Sequence, residues 1–461
     1  METSSNGNGS GKTSVLTYVA LVVGIIAVLL SGYTLTGIGG AADAAEVADV
    51  PEIKIIEIEL GDMYVKPTSI DINVGEQVQL HVKNVGAMGH DLKLNGTVGT
   101  AELATGQEEM ITIGPLSENT LAWCTLPGHR ESGMEMTINV IGAAHTSDYD
   151  TVTAPPAADV SAKVDASAMP SAAWVARDPL LPPVAEGTVH EIALDATEKL
   201  IEVAPGVTQM MWTFNDIVPG PVFHGKIGDT FRFTLTNKGK MGHSIDFHAS
   251  KVAWNLKMKT INPGESLVYE FKADYAGAYM YHCGTAPAIH HIGNGMYGAI
   301  IIDPPTLAPV EKEYVIVQSE LYFGAEGKEG SLTKMINEQW DAVVFNGYYN
   351  QYKFAPIHVD TGKRYRVWVV NDGPSENSAF HIVGTIFDTV FKEGSLMLIP
   401  DVRQGGSQVL DLQPAQGGYV EFSFAEDGMY PIVTHKFANV GKGALGFFVA
   451  GDVDTSALGG H

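Results

Sequence analysis

The segment AYMYHCGTAPAIHHIGNGM concentrates side chains that bind metals. His282 and Cys283 are adjacent in it, His291 follows eight residues after the cysteine, and Met296 five residues after that. A thiolate, two imidazoles and a weak thioether suit an electron-transfer copper site, because soft sulfur favours Cu(I) while imidazole accommodates Cu(II). The second imidazole is that of His243, forty residues before the cysteine. The predicted ligands of this site are His243, Cys283, His291 and Met296.

The same pattern occurs earlier in the chain. In CTLPGHRESGM, Cys124 is followed by His129 and Met134, and His90 lies thirty-four residues before the cysteine. The chain has only two cysteines, so a disulfide between them is the alternative interpretation for an exported protein. A repeated ligand pattern around both cysteines favours two separate copper sites over a disulfide.

Strands must position these ligands. Three stretches of alternating apolar and polar residues, each with a glycine turn, begin at Lys66, Gly220 and Ala355. Such alternation predicts β-strands, and units of about 100 residues with this spacing are typical of β-sandwiches. The prediction is therefore an all-β fold of three tandem sandwiches. A histidine follows shortly after each stretch: His90, His243 and His381.

The N-terminal fifty residues differ from the rest. The uncharged stretch SVLTYVALVVGIIAVLLSGYTLTGIGG is about long enough to cross a bilayer and longer than a usual signal-peptide core. It predicts an uncleaved membrane anchor, with the copper-binding part exported to the outer (periplasmic or extracellular) side. The small-residue run GGAADAA after it leaves a cleaved signal as the alternative.

Composition and patterning set the other boundaries. The formal net charge of −25 argues against a nucleic-acid partner, since phosphate binding needs clustered basic residues. The predicted segments are an N-terminal tail with the anchor or signal (1–50), a first sandwich (51–142), an Ala- and Pro-rich linker (143–185), a second sandwich (186–308), a third sandwich (309–452) and a tail (453–461).

These motifs resemble known copper proteins. The first unit looks like a small blue copper protein, or cupredoxin, and its Cys-x4-His-x4-Met spacing is similar to that of auracyanins. The second and third units together resemble nitric-oxide-forming copper-containing nitrite reductases, on the motifs HSIDFHA, YHCGTAPAIHHIGNGMYGAIIIDPP and VTHKF. The resemblance implies that the three tandem sandwiches are cupredoxin-type Greek-key β-sandwiches, and they would follow the N-terminal transmembrane anchor predicted above.

The resemblance also implies the copper ligands. The two sets above would each hold a type 1 copper, and His248 and His282 match two ligands of a catalytic type 2 copper. In that family the type 2 site lies between subunits of a homotrimer, so its third ligand, His435, would come from a neighbouring chain. Asp246 matches the carboxylate that exchanges protons beside the bound nitrite.

The implied activity is dissimilatory, one-electron reduction of nitrite to nitric oxide. Electrons would pass from type 1 to type 2 copper through Cys283 and His282, because neighbouring strand residues point to opposite faces. The N-terminal copper would serve as a tethered electron donor. The implied partners are nitrite and a small redox donor or a membrane electron-transfer chain.

The sequence departs from the family at one place. Ile386 stands where a second histidine is expected, five residues after His381, and Leu410 stands where a hydroxyl residue is expected. His381 is interpreted as a remnant ligand or a core residue, because its unit has no matching cysteine. His290 is interpreted as a surface neighbour of a copper ligand.

Two other functions remain open. One is a two-domain multicopper oxidase, which would need a trinuclear cluster commonly supplied by His-x-His pairs, and the chain contains none. The other is a non-catalytic electron carrier with several coppers, which leaves His248, His282 and His435 unexplained. The copper content separates the three functions: three ions per chain for the reductase, about five or six for the oxidase and two for the carrier.

Overall fold

The computed structural model describes most of the chain beyond the predicted anchor, which lies outside the described residues. The described residues are 53–142, 161–400 and 405–455, with short gaps at 63, 87, 127–128, 131–132, 162–163 and 166. No helix in these ranges is both long and apolar enough to span a membrane.

The first pair of sheets contains nine strands. Their bounds are β1 Ile55–Gly61, β2 Tyr64–Lys66, β3 Ser69–Asn73, β4 Val78–Asn84, β5 Lys93–Leu94, β6 Val98–Gly99, β7 Glu108–Ile113, β8 Thr120–Trp123 and β9 Glu135–Ile141. The strand orders are β2-β1-β4-β7 and β3-β9-β8-β5-β6. Alternate residues of both sheets meet in one core that includes Leu80, Cys124 and Met134, as expected when one face of each strand is buried.

The second pair of sheets contains eight strands and two short helices. Their bounds are β10 Val189–Ala204, β11 Val207–Phe214, β12 Phe223–Lys226, β13 Thr230–Asn237, β14 Asp246–Phe247, α1 Trp254–Lys257, β15 Ser266–Lys272, β16 Gly277–His282, α2 Ala288–Gly293 and β17 Tyr297–Asp303. The strand orders are β11-β10-β13-β15 and β12-β17-β16-β14.

The third pair of sheets is the largest. Its elements are β18 Lys312–Leu321, α3 Leu332–Ile336, β19 Ala342–Phe345, α4 Gln351–Phe354, β20 Ile357–Val359, β21 Arg364–Gly373, β22 Ser378–Ile382, β23 Thr389–Lys392, β24 Ser395–Leu398, β25 Leu410–Leu412, β26 Gly417–Ser423, β27 Gly428–Thr434, a 3-10 helix Phe437–Lys442 and β28 Leu445–Ala450. The strand orders are β19-β18-β21-β26-β23-β24 and β20-β28-β27-β22-β25.

The three pairs share a pairing pattern. In one sheet of each pair, two strands run parallel: β1 with β4, β10 with β13, and β18 with β21. In the other sheet the parallel partners are β3 with β9, β12 with β17, and β20 with β28. The remaining strand pairings are antiparallel. The prediction of a mostly β fold is confirmed.

Strand β16 separates two hydrophobic clusters. Tyr281 belongs to the core between the two sheets of the second pair, together with Cys283, which follows the strand. Ala278 and Met280 face the other way and pack against residues of the third pair, including Trp368. The period of two along a strand explains this division, and it places odd-numbered and even-numbered residues of β16 in different surroundings.

Candidate metal centres

His90, Cys124 and His129 form a buried group whose potential ligand atoms all lie within 4.8 Å of one another. The Nδ1 atoms of the two histidines are 3.2 Å apart, and Cys124 Sγ is 3.4 Å from His129 Nδ1. Met134 is fully buried in the same core. The structure therefore brings together the three strong ligands that the sequence predicts for the first copper site.

His243, Cys283 and His291 form a second buried group of the same composition. Cys283 Sγ is 3.3 Å from His291 Nδ1 and accepts a hydrogen bond from the Ser244 backbone N–H at 3.3 Å. Met296 is fully buried in the surrounding core. This group has the thiol and the two imidazoles that the second set requires.

The backbone around both groups follows one pattern. The Cys124 N–H donates to the Met134 carbonyl, and the Met134 N–H donates to the His129 carbonyl, each at 3.0 Å. The Cys283 N–H donates to the Met296 carbonyl in the same way, also at 3.0 Å. The Met296 N–H donates to the His291 carbonyl at 3.0 Å, which completes the same pattern. These bonds hold each methionine beside its cysteine even though the two loops differ in length.

Two observations show that these residues fit a metal ion. Both ring nitrogens of His243 are buried without a hydrogen-bond partner, and such orphaned polar atoms are rare in folded proteins. Burial also lowers the pKa of His291 to about 3, which keeps this imidazole in the neutral form that binds metals. A soft metal ion bound to Nδ1, the His243 nitrogen that is not on the Glu198 side, would give that nitrogen the partner it lacks.

The two thiols differ in their electrostatic surroundings. Burial raises the pKa of the Cys124 thiol to about 12, so a metal ion there must displace a bound proton. Burial also acts on Cys283, but the nearby imidazole of His243 and the Ser244 N–H outweigh it, and the pKa of this thiol is lowered. Thiolate, the form that binds metals, therefore forms more readily in the second group.

A carboxylate lies behind one histidine of each group. Asp62 Oδ1 is 3.2 Å from Nε2 of His90, and Glu198 Oε1 is 3.6 Å from Nε2 of His243. Carboxylates at the outer nitrogen of a ligand histidine orient the ring and make it more basic. Neither carboxylate could be predicted from the sequence, because neither residue is close in sequence to a ligand and no motif marks them.

Asp246, His248 and His282 form a third group within the same 4.8 Å limit. Strand β14 pairs antiparallel with β16 so that Asp246 lies directly opposite His282. Nε2 of His248 is 3.0 Å from Nε2 of His282, and Asp246 Oδ2 is 3.9 Å from the same His282 nitrogen. Nitrogen ligands about 2 Å from one ion lie about 3 Å from each other, so the two imidazoles fit a shared metal ion.

The tautomer of His282 suits that role. Its Nδ1 is 2.9 Å from the Cys283 carbonyl and donates to it, which leaves the lone pair of Nε2 directed towards His248. Partial burial, followed by the neighbouring His282 ring, lowers the pKa of His248. The His248 imidazole is thus held in the neutral form that a metal ion requires, and His248 is the most exposed residue of the three.

His435 is placed apart from this group. It directly follows β27, its N–H donates to the Ala379 carbonyl, and its exposed ring lies 5.5 Å from the ring of His381. Within the described residues, His435 joins no group of three or more such ligands. A single chain therefore offers two imidazoles of the predicted type 2 set at one surface and the third at another.

Three residues around the predicted departure from the family are also placed. Ile386 is 66% exposed, whereas Leu410 is buried opposite Phe380. His381 is half-buried on the same sheet as His435, so it is not a core residue.

The interpretation of His290 as a surface residue is wrong: it is 1% exposed, because the Trp212 ring and the Gly330 carbonyl cover it.

Comparison with known proteins adds an independent observation. The profile of the multicopper oxidase family matches residues 195–307. The chain is 35% identical, over 267 residues, to the copper-containing nitrite reductase of Neisseria meningitidis serogroup A, a match that spans 55% of this chain and 68% of that protein.

Solved structures give the same result. A copper nitrite reductase from Nitrosomonas europaea is 33% identical with a TM-score of 0.52, and the match covers 58% of this chain and 96% of that one. A copper-containing nitrite reductase from Thermus scotoductus is 29% identical with a TM-score of 0.53, and the match covers 57% of this chain and 62% of that one.

Proposed function

This chain belongs to the family of copper-containing nitrite reductases, and on that premise we propose the role of each group of residues in nitrite reduction. It is a copper-dependent nitrite reductase. The observation that carries the assignment of roles is that two unlike groups contain adjacent residues: Cys283 belongs to a cysteine-containing group, and His282 belongs to a cysteine-free group.

Each group has a distinct proposed role. When bound, copper supplies one-electron redox chemistry at the cysteine-containing groups and an open, anion-binding position at the cysteine-free group. The proposed type 1 ligands are His90, Cys124, His129 and Met134 for one site, and His243, Cys283, His291 and Met296 for the other. The proposed type 2 ligands are His248 and His282 of one chain with His435 of a neighbouring chain.

The peptide link between Cys283 and His282 is the proposed electronic connection within the second sheet pair. Cys283 is fully buried, while the His282 side chain is 16% exposed. The hydrogen bond from His282 to the Cys283 carbonyl holds this pair in one conformation. No diffusing carrier is then needed between the two groups.

Asp246 is the proposed acid–base residue. Reduction of nitrite to nitric oxide consumes protons as well as an electron, and a carboxylate beside the bound anion can deliver them. Asp246 is partly exposed beside His282, which places it next to the open side of the group. Nitrite, one electron and two protons give nitric oxide and water. Asp246 would hydrogen-bond the bound nitrite and pass one proton to the oxygen that leaves as water, and the second proton would come from solvent.

The three sheet pairs are proposed to be three cupredoxin domains, with the N-terminal one as a tethered electron donor. A tether of this kind raises the effective concentration of a donor to about millimolar. The same proposal includes the N-terminal membrane anchor, export of the copper domains to the outer side, an electron supply from a small redox donor or the membrane chain, and a homotrimer.

Nitric oxide release tests this assignment. The copper-loaded protein, supplied with an artificial reductant and nitrite, is expected to release nitric oxide and to contain three coppers per chain. His248→Ala should lower the rate at least about a hundredfold and remove one copper, while the blue absorption of the type 1 sites remains.

His81→Ala provides a matched control, because His81 lies on the surface of the first sheet pair and contacts Glu57. It should leave nitric oxide release unchanged. Absence of nitric oxide from protein with three bound coppers would overturn the proposal, and a content of about five coppers would favour the multicopper oxidase that the family profile also matches.

A further inference from the structure

Asp246 has a partner that the predicted site does not include. The hydroxyl of Tyr269 is 3.2 Å from Asp246 Oδ1 and donates a hydrogen bond to it. The other carboxylate oxygen, Oδ2, is the one directed towards His282. One oxygen of the proposed acid–base residue is therefore held from the protein side, while the other remains at the open group.

Tyr269 reaches Asp246 from the opposite sheet. It lies on β15, and its side chain is fully buried in the core of the second sheet pair. Its ring lies 5.4 Å from the ring of Phe247, the residue that follows Asp246. A ring packed this tightly has little freedom to rotate away, so the position of its hydroxyl is fixed by the core.

A second hydroxyl extends the contact. Ser250 Oγ is 2.7 Å from the Tyr269 hydroxyl. Since Tyr269 gives its own proton to the carboxylate, Ser250 must donate to Tyr269. The order of donation is therefore Ser250 to Tyr269 to Asp246, and cooperative chains of this kind strengthen each bond.

The tyrosine remains a donor over the working range of pH. Burial, with a smaller contribution from the charge of Asp246, raises the pKa of Tyr269 to about 12. A protonated phenol beside a carboxylate gives a charge-assisted hydrogen bond, which is stronger than a neutral one. In contrast, the exposed Ile386 side chain offers no hydrogen bond at the place where a second imidazole was expected.

We propose that Tyr269 is a positioning residue for nitrite reduction: its hydroxyl, supported by Ser250, fixes the Asp246 carboxylate so that Oδ2 faces the substrate position beside His248 and His282. The proposal rests on the proposed function of that group. It accounts for how a single carboxylate is oriented in a chain that lacks the second imidazole.

Tyr269→Phe tests the proposal, because it removes the hydroxyl and keeps the ring. In the copper-loaded full chain, kcat for nitrite should fall about tenfold, and the affinity for nitrite, read from the shift of the type 2 electron paramagnetic resonance signal, should fall several-fold. The blue absorption of the type 1 sites should not change. In an Asp246→Asn background the same substitution should change kcat by less than about twofold, since coupled residues are not additive.

Tyr281→Phe is the matched control. Tyr281 is equally buried, packs 5.2 Å from the same Phe247 ring and donates instead to the Pro221 carbonyl. The Tyr281→Phe variant should lose about as much stability as Tyr269→Phe, but it should keep the wild-type kcat. Ser250→Ala, which changes only the outer hydroxyl, should lower kcat by a smaller factor and provides a second test if Tyr269→Phe does not fold.

Equal losses from Tyr269→Phe in the wild-type and Asp246→Asn backgrounds, or no loss at all, would overturn the positioning role. Failure of the proposed function gives a different result. In that case the wild-type protein would release no nitric oxide, while the nitrite titration of the type 2 signal would still show whether Tyr269 controls anion binding through Asp246.

Discussion

His282 and Cys283 share a peptide bond, yet their side chains lie on opposite sides of the sheet that contains β16. Cys283 is fully buried in the core of the second sheet pair, and Nε2 of His282 is 3.0 Å from Nε2 of His248 on the outer side. The alternation of side chains along a strand produces this arrangement. Two groups with different chemistry are thereby placed one residue apart.

Cys283→Ser separates the two groups functionally. A hydroxyl is a harder and weaker ligand for copper than a thiolate, so the blue absorption of the second sheet pair should disappear while that of the Cys124 site remains. Nitrite reduction should fall at least about a hundredfold without loss of the type 2 resonance signal. Loss of both signals together would contradict the independence of the two groups.

Glu198→Gln is expected to raise the reduction potential of the proposed type 1 site of the second sheet pair. The Glu198 carboxylate lies 3.6 Å from Nε2 of His243, and its negative charge favours the more positive, oxidised ion. Loss of about 1 kcal/mol from such a contact corresponds to roughly 40 mV for one electron. A spectroscopic redox titration measures the shift.

Glu191→Gln is the control for that titration. Glu191 lies on the same strand, β10, but it is exposed and paired with Arg232, so its substitution should leave the potential unchanged. A potential that is unaffected by Glu198→Gln, or shifted equally by both variants, would show that the carboxylate behind His243 does not tune the site.

Glu320 should make the free energy of unfolding depend on pH. Its side chain is 1% exposed, and burial raises its pKa from 4.5 to about 7 although Tyr322 and the backbone of Ser375 and Glu376 donate to it. Between these two pKa values the folded chain binds more protons than the unfolded chain. Stability should therefore fall as pH rises from about 4.5 to 7, by about 3 kcal/mol, and level off above.

Thermal unfolding of the wild type and Glu320→Gln at a series of pH values measures this contribution. Glutamine stays neutral over this pH range. As pH rises to 7, the unfolding temperature of the wild type should therefore fall relative to that of Glu320→Gln. An unchanged difference across that range would contradict the raised pKa.

The sequence predicts the two cysteine-containing groups because most of their ligands are close in sequence. Cys283, His291 and Met296 lie within fourteen consecutive residues, so their spacing indicates a shared site. Asp246 and His248 were predicted from the resemblance to the family, because their spacing alone does not identify a metal site. The mostly β fold follows from alternation over whole segments. The anchor, the domain boundaries and the copper count stay predictions.

Residues that come from distant strands could not be predicted in this way. Glu198 lies on β10 and Tyr269 on β15, and only the packing of two sheets brings them to His243 and Asp246. The exposure of His290 was predicted wrongly for the same reason, since one of the groups that bury it is the Gly330 carbonyl of the third sheet pair. Side-chain spacing reports local neighbours and carries no signal for contacts between sheets.

A mixed oligomer tests the central claim, that one active site uses residues of two chains. His248→Ala removes a ligand from one proposed half of the site and His435→Ala from the other, so each variant alone should be inactive. If the halves come from different chains, random assembly of the two variants leaves about a quarter of the sites with all three histidines.

Co-expression of the two variants, carrying different purification tags, supplies the mixed oligomers for this measurement. Purification through both tags removes the trimers made of one variant alone, and each mixed trimer has one complete site in three. The account therefore predicts that this protein recovers nitrite reduction to roughly a third of the wild-type rate per chain, while either variant alone stays inactive. Mixed oligomers as inactive as the single variants would contradict a site shared between chains and place His435 outside it.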